Sequence, residues 1–149
     1  MIKVEFTAAR NLTGTHAVGD SVTLTFSAQE PLTPTRKVSR TVQASLSGAR
    51  ETIYNTGVWS FDITTEPVSG ATLETLLEFL MSVEDGSPFS FYPWEMPSGN
   101  PSPLTGRWVG RPLTCQLDTE SYSLTLLASE GTGGSADWYV VQFTVIETP

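Results

Sequence analysis

One cysteine and one histidine, Cys115 and His16, occur among the 149 residues. A single cysteine rules out an internal disulfide framework, a CxxC redox pair and every zinc site built from two or more cysteines. A single histidine rules out zinc centres with two or three histidine ligands, so the sequence predicts no metal and no cofactor. Basic residues are also scarce: eight Lys and Arg face sixteen Asp and Glu, for a net charge of -8. Phosphate recognition draws its affinity from clustered Lys and Arg, so DNA or RNA is not expected as a stably bound partner. No apolar run approaches the length of a membrane-spanning helix, and no membrane partner is predicted. The opening segment MIKVEFTAAR alternates apolar and polar residues and reaches Arg10 without a signal-peptide core, so synthesis and use in a cytoplasm is the expectation. Asn11-Leu12-Thr13 fits a glycosylation acceptor pattern, which reads as chance without an export signal.

A chain of this length suits one domain, spanning 1–149. Charged residues make up only 16% of it while Ser and Thr abound, so solubility rests on hydroxyls more than on ions. Strand periodicity dominates. Ile2, Val4 and Phe6 alternate with Lys3, Glu5 and Thr7, and Val22, Leu24 and Phe26 alternate with Thr23, Thr25 and Ser27. Such alternation is the signature of half-buried strands. The same pattern marks Val42, Ala44 and Leu46, then Trp59, Phe61 and Ile63, with Ser47-Gly48-Ala49-Arg50 as a turn between them. It returns at Leu113, Cys115 and Leu117, at Tyr122, Leu124 and Leu126, and at Tyr139, Val141, Phe143 and Val145. At least seven strands are predicted.

One segment breaks the period of two. Leu73, Leu76, Leu77 and Leu80 stand at i, i+3, i+4 and i+7, which places them on one face of a helix over about 72–83, with Glu74, Thr75, Glu78 and Ser82 on the other. Ser69 or Thr72 can cap its start, and Gly86 supplies a residue suited to its end. The leucine face extends over too few heptads for a coiled coil, so it is expected to pack on a sheet. The predicted fold is mostly β: a β-sandwich or split barrel with one flanking helix.

Three long loops are expected, at about 30–40, 93–112 and 130–137. The second holds five of the ten prolines together with Trp94, Met96 and Trp108. Loops of this length in a compact domain are usually functional or disordered. Arg36, Lys37 and Arg40 form the only dense basic group, which suits a solvated loop or contact with an acidic neighbour. Together with Trp94, Met96 and Trp108 they are the candidate interface residues, since exposed large aromatics are costly unless covered. The aromatics fit self-coverage over the sheet, a protein partner or a stacked sugar ring.

Catalysis finds little support. Gly131 to Ala136 formally matches GxGxxA, but the following segment reads as a strand and not as the helix whose amides would hold a pyrophosphate. A nucleophile would need His16 as its base, and Cys115 falls on the inward side of a predicted strand, where cysteine acts as a small hydrophobe. No catalytic residue is assigned, and the chain is expected not to be an enzyme.

The order of these elements resembles the minor tail protein M and distal tail (hub) families of long-tailed bacteriophages. A strand with Trp59 and Phe61 leads to a helix carrying Leu76, Phe79 and Leu80. Gly86, the aromatic strand Phe89-Ser90-Phe91 ending in Pro93, a Leu113-Thr114-Cys115 strand and a closing Phe143-Thr144-Val145 strand follow. The resemblance covers roughly 38–149. It implies a virion structural protein in the phage tail, forming a homo-oligomeric ring, commonly a hexamer. That ring would sit at the distal end between tail tube and tail tip or hub proteins, with DNA only in transit. Acidic residues lining a lumen would keep DNA from adhering, because like charges repel. The alternative is a carbohydrate- or receptor-binding β-sandwich module using Trp94 and Trp108.

Overall fold

The computed structural model describes residues 1–11, 14, 16–29, 32, 34–93, 112–118, 121–128 and 137–148. Eight strands and one helix lie within them: β1 (Ile2–Thr7), β2 (Ser21–Phe26), β3 (Pro34–Ala44), β4 (Arg50–Thr64), α1 (Gly70–Val83), β5 (Phe89–Tyr92), β6 (Leu113–Leu117), β7 (Ser123–Ala128) and β8 (Trp138–Glu147). The mostly β architecture with one helix is the one the periodicities predict. The strands form a single sheet in the order β2-β1-β5-β6-β8-β4-β3, with β7 attached to β8 off this path. Every pairing is antiparallel.

The sheet curls back on itself. Beyond β2, Gln29 N–H donates to Thr64 O at 2.7 Å and Glu66 N–H donates to Ser27 O at 2.9 Å, around the bridge between Ala28 and Thr65. The end of β2 is thereby joined to the end of β4, and the strands from β2 to β4 close into a split barrel. On the other side of β8, β6 and β7 run end to end along one edge. Leu117 pairs with Val145 and Ser123 with Gln142, so the two strands follow one another along β8.

The inward residues of this barrel are those that the alternation selects. Ile2, Val4, Phe6, Val22, Leu24, Phe26, Phe61, Ile63, Phe91, Val141, Phe143 and Val145 are all buried. Helix α1 packs on β1, β2 and β6. Phe79 is at the centre of the contact, with ring centroids 5.2 Å from Phe6, 4.9 Å from Phe89 and 6.2 Å from Phe143. The pairs with Phe89 and Phe143 are edge-on and the pair with Phe6 is tilted, and edge-on arrangements suit the quadrupoles of aromatic rings.

The helix departs in part from its predicted face. Leu73, Leu76 and Leu80 are buried as expected, but Leu77 is only half-buried, while Phe79, Glu78 and Ser82 lie inside. The buried arc is wider than one leucine stripe because the helix sits over the curled sheet and is also covered by the β1–β2 connection. Ala9 N–H donates to Ser82 Oγ at 3.0 Å there. Ser69 occupies the N-cap position in extended backbone without a side-chain cap bond. Gly86 N–H returns to Val83 O at 3.1 Å, and its φ of +92° is the left-handed geometry that glycine permits at a helix end.

The loop expected at about 30–40 is strand from Pro34 onward, because Thr35, Val38, Thr41 and Val42 are good strand formers and β4 supplies a continuous partner. Most of the loops expected at 93–112 and 130–137 lies outside the described residues.

Candidate assembly surface

β3 and β4 form a hairpin far longer than the barrel needs. Pairing runs from Pro34 opposite Phe61 to Ala44 opposite Arg50, with a register shift between Ser39 and Arg40 that leaves Asn55 as an extra residue on β4. The tip is a tight turn: Ser45 N–H donates to Ala49 O at 2.8 Å and Gly48 N–H to Ser45 O at 2.9 Å, with Gly48 at φ +83°. That conformation strains any residue bearing a Cβ, and glycine adopts it freely.

Only the base of this hairpin meets the core. Phe61 is fully buried and Trp59 half-buried, whereas every residue from Thr35 to Tyr54 is exposed. Residues opposite one another share a face, so the face that carries Phe61 inside the barrel continues outward through Trp59, Arg36, Val38, Arg40, Tyr54 and Val42. Val38 is 51% exposed, Val42 41% and Tyr54 60%, and Ile53 and Leu46 are exposed as well. The expectation that Val42, Ala44 and Leu46 form a half-buried face is corrected here. Their alternation is real, but no core of the same chain lies beneath them.

The three basic candidates fall on this arm and divide between its faces. Arg36 lies across from Trp59 with its guanidinium carbon 5.4 Å from the ring centroid, a cation–π geometry. Arg40 stands opposite Tyr54 just past the register shift. Lys37 is on the other face, where its Nζ lies 3.1 Å from Asp118 Oδ2 at the end of β6 and anchors the arm's base. The candidates Trp94, Met96 and Trp108 lie outside the described residues. Missed by the sequence reading were Val38, Ile53 and Tyr54, whose only signal is a strand too long for the barrel it enters.

A second exposed apolar strip lies on β7. Leu124, Leu126 and Leu127 are exposed there, with Trp138 beside them on β8. The alternation of Leu124 with Leu126 again predicts an inward face that the structure leaves largely open.

His16 and Cys115, the residues a nucleophilic mechanism would need, are both taken up in packing. His16 Nδ1 contacts Glu78 Oε1 at 2.8 Å, and Glu78 is buried on α1. Arg10 lies 3.7 Å from Glu84, which accepts a hydrogen bond from Tyr122 OH at 3.1 Å. Burial, then the hydrogen bond and charge of Glu84, push the Tyr122 phenol up. Cys115 is fully buried, and desolvation, reinforced by Glu147, pushes its thiol from 9.0 to about 12. The thiolate is the reactive form, so this cysteine is inert at neutral pH. Among the described residues no group of three or more His, Cys, Asp or Glu gathers to hold a metal. The grooves are shallow; one of about 310 Å³ is lined by Asp62, Thr64, Ser121, Gln142 and Thr144, where the ends of β4 and β7 pair with β8.

No family model matches the chain, and neither does any curated protein sequence. Among solved structures, the chain is similar to one in the tail of an empty gene transfer agent particle, computed with helical refinement under C6 symmetry. The TM-score is 0.46 at 10% identity, over 99% of this chain and 91% of that one. It is also similar to a chain in the virion of a native gene transfer agent particle, with a TM-score of 0.47 at 8% identity and the same two coverages.

Proposed function

We propose that this chain is a structural subunit of a bacteriophage tail, as the order of its sequence elements suggests, and that it acts by assembly and not by turnover. The observation that carries this reading is the exposed β3–β4 arm. A two-stranded hairpin is marginal in water on its own. This one nevertheless extends the core-facing side of a barrel out of the subunit and displays Val38, Val42 and Tyr54 along it. Apolar side chains held in a row on a projecting element are an interaction surface. The assembly is a homo-oligomeric ring, commonly a hexamer in the resembling families, at the distal end of the tail between the tube and the tip or hub proteins. The virion is then where the protein resides, and the acidic remainder of the subunit lets DNA pass without adhering.

The test is the mass of the purified protein in solution, compared with a variant in which residues 38–56 are replaced by a short Gly/Ser turn. The expected result is a closed oligomer for the intact chain and a folded monomer for the shortened one. A shortened chain that assembles as fully as the intact one would overturn the reading.

A further inference from the structure

Resting on that assembly reading, the two exposed strips have different characters, and the difference says which of them meet. Among the described residues the sheet has outer edges at β2, β3 and β7, and β4 meets β8 only from Ser60 onward, so the arm's far side along β4 is an edge as well. The C-terminal continuation of β2 is sealed by the hydrogen bonds between 27–29 and 64–66. The edge of β3 is guarded in the usual ways, by Pro34, by Arg36, Lys37 and Arg40, and by an irregular register. β7 shares only the irregular register, between Leu126 and Ala128, and among the described residues it has neither of the other two guards. Its sequence, Ser-Leu-Thr-Leu-Leu-Ala, has no charge and no proline, and Leu126 and Leu127 are 51% and 54% exposed. An open edge of that composition is the type to which another strand adds.

Charge selects the strand. Residues 34–57 contain Arg36, Lys37, Arg40 and Arg50 against Glu51 alone, a net +3; the whole chain is -8, so the remainder carries -11. Two arms repel one another, whereas an arm is attracted to the body of another copy, and complementary potentials of this kind steer association. We infer that the β3–β4 arm of one copy lies along the open edge of β7 in the next copy, extending that sheet and covering Leu124, Leu126 and Leu127 with Val38, Val42 and Tyr54. The contact joins two different patches of the same chain. It is therefore heterologous, and repeated around an axis it closes into a ring.

Two variants test this. The arm variant is Val42→Glu with Tyr54→Glu, and the edge variant is Leu124→Glu with Leu126→Glu; Leu127→Glu serves if the edge pair fails to fold by circular dichroism. Each variant alone should be monomeric by sedimentation while the wild type forms its closed oligomer. Mixed in equal amounts they should form a dimer and nothing larger, because one intact arm then meets one intact edge. A mixture that stays monomeric, or an edge variant that assembles like wild type, would overturn the arm-to-edge contact and leave the ring standing. A wild-type chain that stays monomeric up to its solubility limit would overturn both.

Discussion

Nδ1 of His16 lies 2.8 Å from Oε1 of Glu78, tying the β1–β2 connection to the inner side of α1. Glu78 is fully buried, and a carboxyl group in that position requires polar partners, since burial without them costs several kcal/mol. The sequence reading placed Glu78 on the solvent side of the helix; the connection folding over it makes that side an interior. The only histidine of the chain is thus part of the helix's packing.

His16→Ala should therefore cost about 1–3 kcal/mol of folding stability, the range for leaving a buried group short of a partner. A double-mutant cycle of His16→Ala with Glu78→Gln, followed by urea unfolding, should show a coupling of roughly 0.5–3 kcal/mol. The ability of the folded protein to assemble should not change. Lost assembly in a normally folded His16→Ala chain would give the residue a role beyond packing.

In the helix core, Phe79→Ala should cost roughly 3–5 kcal/mol and Leu76→Ala roughly 2–5 kcal/mol, the ranges for truncating fully buried side chains. Leu77→Ala should cost clearly less than Leu76→Ala, because Leu77 is only partly covered. Denaturant midpoints for the three variants give the ranking directly, and equal losses for Leu76 and Leu77 would contradict the observed helix orientation.

Cys115 should resist thiol reagents in the native state and react on unfolding, as its complete burial requires. Its folded thiol titrates near 12 instead of 9.0, so the native state holds the proton more tightly than the unfolded chain does. The resulting stability is complete below pH 9 and is lost as pH rises from there toward about 12. The difference in stability between wild type and Cys115→Ala should shrink across that window. A difference that is flat in pH would contradict the burial of the thiol.

Assembly should weaken as salt rises, because an arm of +3 meets a body of -11 and screening shortens to roughly 3 Å at 1 M ionic strength. Arg40→Glu should weaken it further at low salt while leaving folding stability within about 0.5 kcal/mol, as is usual for exposed positions. Sedimentation across a salt series checks both. Association that strengthens steadily with salt would mean that apolar burial alone holds the contact.

The sequence by itself determined the local structure. Period-two alternation marked most of the strands, though not the start of β3, since side chains on an extended backbone point to opposite sides, and the leucine spacing marked the one helix for the same geometric reason. One cysteine and one histidine likewise left no internal disulfide and no centre built from several Cys or His ligands, and the scarcity of basic residues gave no ground to expect a phosphate grip, before any fold was considered. The tertiary structure decided where each apolar face is covered. Phe61 and Val42 stand on the same face of one hairpin with the same alternation, yet Phe61 is at 0% exposure in the core and Val42 is 41% exposed on the arm. Glu78 and Glu74 share one helix, one buried against His16 and the other in solvent. Alternation is a property of adjacent residues, whereas burial depends on which distant segments arrive opposite them, and that is fixed only when the sheet curls, the helix docks and β3 outruns the barrel.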